Sequence, residues 1–301
     1  LVKKIILDMD PGIDDALALM AACSGPAQVL GVTTVAGNLP LTTVTANASG
    51  LLKQLDTSIH VYPGAAAPLC AKTEHASQVH GPSGLGHWQV EADVSRVESR
   101  HAAQFIAETA RAYPHQVTLV ATGPLTNLAL ALEHHGQDMQ YLDQVVFMGG
   151  ALTVPGNATP VSEFNIYADP DAAELVLSSG LNLTMVGLDV THQVCLQDQD
   201  LAELARGGQA AAAAMVQYYI ERNGDMPLHD PLALLAALRP DLFKFQPVPV
   251  RVEVRGQDSR GQTMADFSRS HGWEENAQVA LQVQSQRCKD FLMGLWSKNE
   301  M

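Results

Sequence analysis

A chain of 301 residues, 47% hydrophobic and 17% charged, is long enough to bury a sizeable core as one large domain or two smaller ones. Its formal net charge of -14 argues against nucleic acid or an anionic membrane surface as partner, since both are held by Lys and Arg, and weakly against phosphorylated substrates. No apolar run reaches membrane-spanning length, no signal-peptide pattern opens the chain, and Cys23, Cys70, Cys195 and Cys288 lack metal-finger spacing, so a reduced, cytoplasmic protein is expected.

Residues 3–7, centred on Ile5-Ile6-Leu7, read as a buried strand. Directly after it, Asp8-Met9-Asp10-Pro11-Gly12-Ile13-Asp14-Asp15 places four carboxylates within eight residues. Pro11 and Gly12 sharpen a turn and 16–22 is helix-like, so Asp14 and Asp15 are expected at a helix N-terminus, where the macrodipole favours negative charge. An acidic cap accounts for one Asp. Four repel one another unless solvated or neutralised, and their oxygens are the hard ligands that Ca²⁺ or Mg²⁺ takes.

Further strands are expected over 29–35, 117–121, 145–148 and 183–188. Helices are expected over 41–55, 102–112, 125–133 and 172–177, the last capped by Asp169 with Pro170 at its first position. Beyond these, 210–220 and 231–238 read as helices, 248–255 with 262–267 as a hairpin, and 284–296 as a final helix. Alternating strands and helices indicate an α/β fold: an open, mostly parallel Rossmann-like sheet flanked by helices, with no linker dividing 1–301. Such sheets bind ligands beyond the carboxyl ends of their strands, and the motifs at 8–15, Gly37-Asn38, Thr122-Gly123 and Gly149-Gly150 all follow strands directly.

The order strand, D-x-D-P-G-x-D-D, helix resembles the signature of the nucleoside hydrolases, which cut the N-glycosidic bond between ribose and base. The resemblance continues in order through Val35-Ala36-Gly37-Asn38, His80-Gly81-Pro82-Ser83-Gly84-Leu85, Ala121-Thr122-Gly123-Pro124-Leu125-Thr126-Asn127, Met148-Gly149-Gly150, Asn157, Glu163-Phe164-Asn165 and His229-Asp230-Pro231. It covers nearly the whole chain. It implies the nucleoside hydrolase fold, a ribonucleoside substrate, hydrolysis to ribose and a free purine or pyrimidine in nucleoside salvage, and a homodimer or homotetramer.

The same resemblance implies Ca²⁺ bound by Asp10, Asp15, Asp230 and the Thr122 carbonyl, with Asp10 as general base and Asp14 accepting a hydrogen bond from a ribose hydroxyl. Asn38, Asn157, Glu163 and Asn165 match ribose-contacting positions. A carboxylate at Glu163, near the sugar's 5′ end, would accept a hydroxyl proton and repel a 5′-phosphate, favouring nucleosides over nucleotides. Met148 either approaches the sugar or belongs to the core with the preceding Val-Val-Phe run. His229 matches a base-facing proton donor of the inosine–uridine branch, and His80 is either a second base-side imidazole or a residue that orders its loop. His60, His101, His115, His134, His135 and His271 match no motif.

Three rival readings each fit part of the chain. The haloacid-dehalogenase phosphatases also open with a strand and D-x-D, as Asp8-Met9-Asp10 does, but they continue with Gly and Thr or Val, unlike Pro11-Gly12-Ile13-Asp14-Asp15. A non-catalytic nucleoside or ribose binder would share the metal cage without needing Asp10. A structural Ca²⁺ protein would leave Asn157, Glu163, Asn165 and His229 without a role. Base preference stays open, because the segments near His80 and over 217–229 are too irregular to read.

Overall fold

The computed structural model describes residues 2–70, 75–206 and 210–297. The first half of the chain alternates β1 (Lys4–Met9), α1 (Ile13–Ser24), β2 (Gln28–Thr34), α2 (Leu41–Gln54), β3 (Val61–Pro63), α3 (Ser77–His80), α4 (Ala102–Ala112), β4 (Val117–Ala121), α5 (Thr126–Met139) and β5 (Gln144–Met148). There follow α6 (Phe164–Ala168), α7 (Pro170–Leu177), β6 (Leu183–Val186), α8 (Leu188–Thr191), β7 (Cys195–Leu196), α9 (Asp198–Arg206), α10 (Ala210–Asn223), β8 (Met226–Pro227) and α11 (His229–Leu238). The last elements are β9 (Phe243–Val248), β10 (Val250–Val252), β11 (Thr263–Ala265), β12 (Ala277–Val283) and α12 (Ser285–Trp296).

The main sheet has eight strands in the order β3-β2-β1-β4-β5-β6-β12-β9, parallel throughout except for β9, which runs antiparallel to β12 at the edge. Side chains alternate across a strand. Ile5, Leu7 and Met9 of β1 therefore pack with α1, α11 and α12 on one face, while Ile6 packs with α4, α5 and α7 on the other. Every residue of β4 is buried, as expected of a parallel strand covered on both sides. Trp296 of α12 is fully buried and its Nε1–H donates to the Leu17 carbonyl at 2.9 Å, seating α12 against α1.

Strand order reverses at β1, which has β2 on one side and β4 on the other. The gap beyond their carboxyl ends is where an open α/β sheet takes its ligand. The acidic motif leaves β1 at that gap, and α1 starts at Ile13 with Asp14 and Asp15 in its first turn.

Several elements differ from expectation. The strand over 183–188 ends at Val186, and Leu188 opens a short helix. The helix from 125 runs on to Met139, with non-helical backbone at His135. The proposed hairpin is reduced to β10 and β11, because Val248 belongs to β9, which pairs with β12. Neither β9 nor β12 was expected. Pro247 argues against a strand in β9, yet an edge strand tolerates it. The segment 217–229 is ordered: α10 continues to Asn223 and β8 pairs with β7. No helix among the described residues is long and apolar enough to cross a membrane.

Candidate active site

The turn after β1 is built around Asp15. Its Oδ2 accepts from the Gly12 N–H at 3.0 Å, and its Oδ1 accepts from the Asp10 N–H at 3.3 Å and the Thr122 hydroxyl at 2.8 Å. One carboxylate thus closes the turn onto the first turn of α1 and joins it to the end of β4. Asp10 is held from the β2 side, where the Asn38 N–H donates to its Oδ2 at 2.6 Å. The Asn38 side-chain amide donates to the Asp10 carbonyl and to Asp15 Oδ2, each at 3.2 Å. Gly37 is required by this approach, since a Cβ there would lie 2.1 Å from Asp10 Oδ2.

One carboxylate oxygen from each of Asp14, Asp15 and Asp230 falls within 4.8 Å of the others. Asp230 arrives from the first turn of α11, and Asp10, Asp15 and Asp230 are all buried. Burial pushes each carboxyl up: Asp14 to about 6, Asp10 and Asp230 well above the ordinary range. The charge of Asp15 adds to the effect on Asp10, and those of Asp14, Asp15 and Asp10 to the effect on Asp230. Oδ1 of Asp10 and Oδ1 of Asp14 are buried without a hydrogen-bond partner. Buried acidic oxygens gathered in this way fit a hard divalent cation, which would satisfy them and remove their mutual repulsion.

Beside the cluster lies a cavity of about 400 Å³, lined among others by Asp14, Asn38, His80, Thr122, Met148, Asn157, Glu163, Asn165, His229 and Asp230. Neither Lys nor Arg is among the described residues that line it. Two larger clefts, of about 640 and 630 Å³, lie elsewhere and contain none of these residues.

The remaining candidates are placed as follows. Glu163 caps α6, accepting from the N–H groups of Asn165 at 2.9 Å, Ile166 at 3.1 Å and Gly150 at 3.0 Å, and burial raises its carboxyl. Asn165 Nδ2 donates to the Thr122 carbonyl at 2.7 Å and to the Met148 carbonyl at 3.2 Å, tying the ends of β4 and β5 together. Met148 also lies 3.4 Å from that amide through its sulfur. Asn157 accepts from the Phe164 N–H at 2.9 Å. Asp10 and Asp15 are the two candidates that do not line the cavity, and Asp10 is not among the three carboxylates grouped within 4.8 Å.

Burial favours the neutral form of both histidines. His80 Nδ1 accepts from the Ile13 N–H at 3.1 Å, at the start of α1, which puts the ring proton on Nε2; burial pushes its pKa down to about 4. His229 Nδ1 lies 2.8 Å from the hydroxyl of buried Thr191, and burial followed by the nearby His192 lowers its pKa to about 3. His75, His192 and Tyr219 also line the cavity, and none was singled out in the sequence. The sequence pattern carries no cue to His192, which caps the C-terminus of α8; the strand expected over 183–188 took in only the first residue of that helix.

The sequence profile of the inosine-uridine preferring nucleoside hydrolases matches residues 5–290. A non-specific ribonucleoside hydrolase, RihC, of Escherichia coli is 42% identical over 288 residues, covering 93% of each chain. A pyrimidine-specific ribonucleoside hydrolase, RihA, of a Shewanella species is 38% identical over 303 residues, covering 97% of this chain and 95% of that one. The structure of a purine-preferring ribonucleoside hydrolase from Gardnerella vaginalis superposes with a TM-score of 0.93 at 32% identity, covering 99% of both chains. With this fold, this cluster and these relatives, the chain belongs to the inosine-uridine preferring nucleoside hydrolase family and is an N-ribosyl hydrolase.

Proposed function

We propose that the protein hydrolyses purine and pyrimidine ribonucleosides to ribose and free base in a Ca²⁺-dependent reaction. The observation that carries this reading is the set of buried, partly unpartnered carboxylate oxygens beside a cavity with no Lys or Arg among the described residues that line it. The relatives differ in base preference, so the reading includes both classes of base.

Asp10, Asp15, Asp230 and the Thr122 carbonyl would hold the ion, with Asp14 shared between the cluster and a ribose hydroxyl. Ca²⁺ accepts six to eight oxygen ligands, which leaves room for water and the ribose diol. When bound, the ion supplies the positive charge that neutralises the cluster and acidifies a water molecule. Asp10 is the general base, because its Oδ2 is fixed by Asn38 while its Oδ1 is free to take a proton. Asn38, Asn157 and Asn165 orient the sugar, and Glu163 accepts from its 5′-hydroxyl and excludes a 5′-phosphate. Met148 closes the floor beneath it. On the base side, a Thr191 hydroxyl donating to Nδ1 of neutral His229 leaves the proton on Nε2, from which it offers a hydrogen bond to the departing base. His80 orders its loop against α1 through the Ile13 N–H.

Release of the free base from inosine, adenosine, guanosine, uridine and cytidine, with 2′-deoxyuridine as control, tests the proposal. Ribonucleosides of both classes should be cleaved. The 2′-deoxy substrate should lose roughly 10³-fold in kcat/KM, because the polar groups reading the diol are left unpaired. Equal rates for uridine and 2′-deoxyuridine would remove the assigned diol contacts.

A further inference from the structure

Asp8 and Asn127 stand within two of the motifs above, yet neither lines the cavity. Asn127 is fully buried in the first turn of α5. Its Nδ2 donates to Asp8 Oδ1 at 2.7 Å and to the Thr34 carbonyl at 3.0 Å, and its Oδ1 accepts from the Ala65 N–H at 2.8 Å. Both amide protons are therefore used, one on β1 and one on β2, while the oxygen takes the backbone just past β3. Asp8 Oδ1 also accepts from the Thr33 hydroxyl at 2.6 Å. The space is shaped for this side chain, since a Cβ on Gly64 would lie 2.0 Å from Asn127 Oδ1.

The strand ends gathered by Asn127 lead directly into the site. β1 continues to Asp10, and β2 continues to Asn38, whose N–H fixes Asp10 Oδ2. The Ala65 carbonyl accepts from the Ala36 N–H at 2.9 Å, joining the loops after β2 and β3. The Asp8 carbonyl accepts from the Thr122 N–H at 2.8 Å, joining β1 to the end of β4. A cation site tolerates only small displacements of its ligands, so whatever keeps these loops in register also sets the affinity.

We infer that Asn127, with Asp8 and Thr33, is a positioning unit that holds the loops bearing Asp10, Asn38 and Thr122 in the arrangement the cation requires. The inference rests on the proposed roles of those three residues. Removing the carboxamide leaves the Asp8 carboxyl, the Thr34 carbonyl and the Ala65 N–H short of partners inside the protein, and the loops must shift to satisfy them.

The test compares Asn127→Ala, Asp8→Ala and Asp8→Asn with the native protein by Ca²⁺ calorimetry, by kcat and KM for inosine, and by amide hydrogen exchange. Asn127→Ala is expected to weaken Ca²⁺ binding by roughly 10–100-fold, the scale for groups that orient metal ligands, and to lower kcat more than it raises KM. Exchange should quicken at the amides of Asn38 and Thr122 while α12 keeps its native protection. Asp8→Ala should behave alike. Asp8→Asn should stay near native, because it keeps an acceptor for Thr33 and Asn127 and sets its NH₂ where Oδ2 has no partner. Native Ca²⁺ affinity and kcat in a folded Asn127→Ala protein of lowered Tm would overturn the inference. So would Asp8→Asn as impaired as Asp8→Ala, which would make charge the operative property. If Asn127→Ala fails to fold, Thr33→Val carries the same comparison, removing the hydroxyl that donates to Asp8 Oδ1 and to the Leu7 carbonyl. If the native protein binds no Ca²⁺, the functional proposal fails, while unchanged exchange at Asn38 and Thr122 would separately overturn the positioning role.

Discussion

In the proposed reaction Asp10 is the residue on which the chemistry turns. One carboxylate oxygen is fixed by a backbone N–H at 2.6 Å and the other is buried without a partner. Asp10→Asn keeps an oxygen for the Asn38 N–H and puts an amide in place of the free proton acceptor. The expected outcome is a fall in kcat of roughly 10²-fold or more, the usual scale of general-base catalysis, with a smaller change in KM. Steady-state kinetics on inosine and uridine would check it. A near-native kcat would pass the role to Asp14, whose Oδ1 is likewise unpartnered. At this scale the sequence is most legible where chemistry is concentrated, in the acidic run at the end of β1. Not all of that run meets at one point: Asp8 stands within β1 and is held by Thr33 and Asn127, away from the cluster. Tyr219, His192 and His75 are less legible. Each is a common residue type on a separate element, and only the assembled fold brings them to one cavity.

Elements are legible where most of a strand is buried on both faces. β1, β2, β4, β5 and β6 are largely apolar and stand close to their expected positions, although the first three residues of β2 are only partly buried or exposed. β12 mixes Gln with Ala and Val, β9 contains Pro247, and both lie at the far side of the sheet, where solvent and edge position relax the pattern. Trp296 shows how a distant element supports the site. It clamps α12 to α1, whose first turn carries Asp14 and Asp15. Trp296→Ala removes a fully buried indole and should cost about 3–5 kcal/mol in urea unfolding. A loss below about 1 kcal/mol, the scale of a single hydrogen bond, would show that α12 is not seated by this residue.

For the whole molecule, the acidic cluster links stability to pH and to metal. An Asp whose folded pKa is raised carries no penalty below its unfolded value, and a growing one as pH rises towards the folded value. Burial holds Asp8 and Asp14 at about 6, so their penalty grows from about pH 4 and most of it is in place by about pH 6, and the carboxyls of Asp10 and Asp230, raised well above the ordinary range, add to it. His80 and His229 oppose this over the same range, two groups against four. Their pKa values are depressed to about 4 and about 3 from 6.5, so their stabilising share is lost as pH falls below 6.5 and is constant above it. Metal-free protein should therefore lose thermal stability as pH rises from about 4 to about 6, four raised carboxyls outweighing two depressed imidazoles, and the gain in Tm on saturation with Ca²⁺ should grow across that interval. Scanning calorimetry with and without Ca²⁺ would show it. A metal-free Tm that rises over the same interval would mean that the four carboxylates are not held protonated by burial.

The strand order explains why the site lies where it does, at the reversal beside β1, and the sequence motifs point to that gap because each follows a strand. The most direct measurement is ribose release from inosine and uridine by protein stripped of divalent ions, verified by elemental analysis, before and after Ca²⁺ is restored. Stripped protein should lose more than about 10²-fold of its rate on both substrates, with activity returning in proportion to the Ca²⁺ bound. Full-rate hydrolysis by verified metal-free protein would contradict a Ca²⁺-dependent reaction at this cluster.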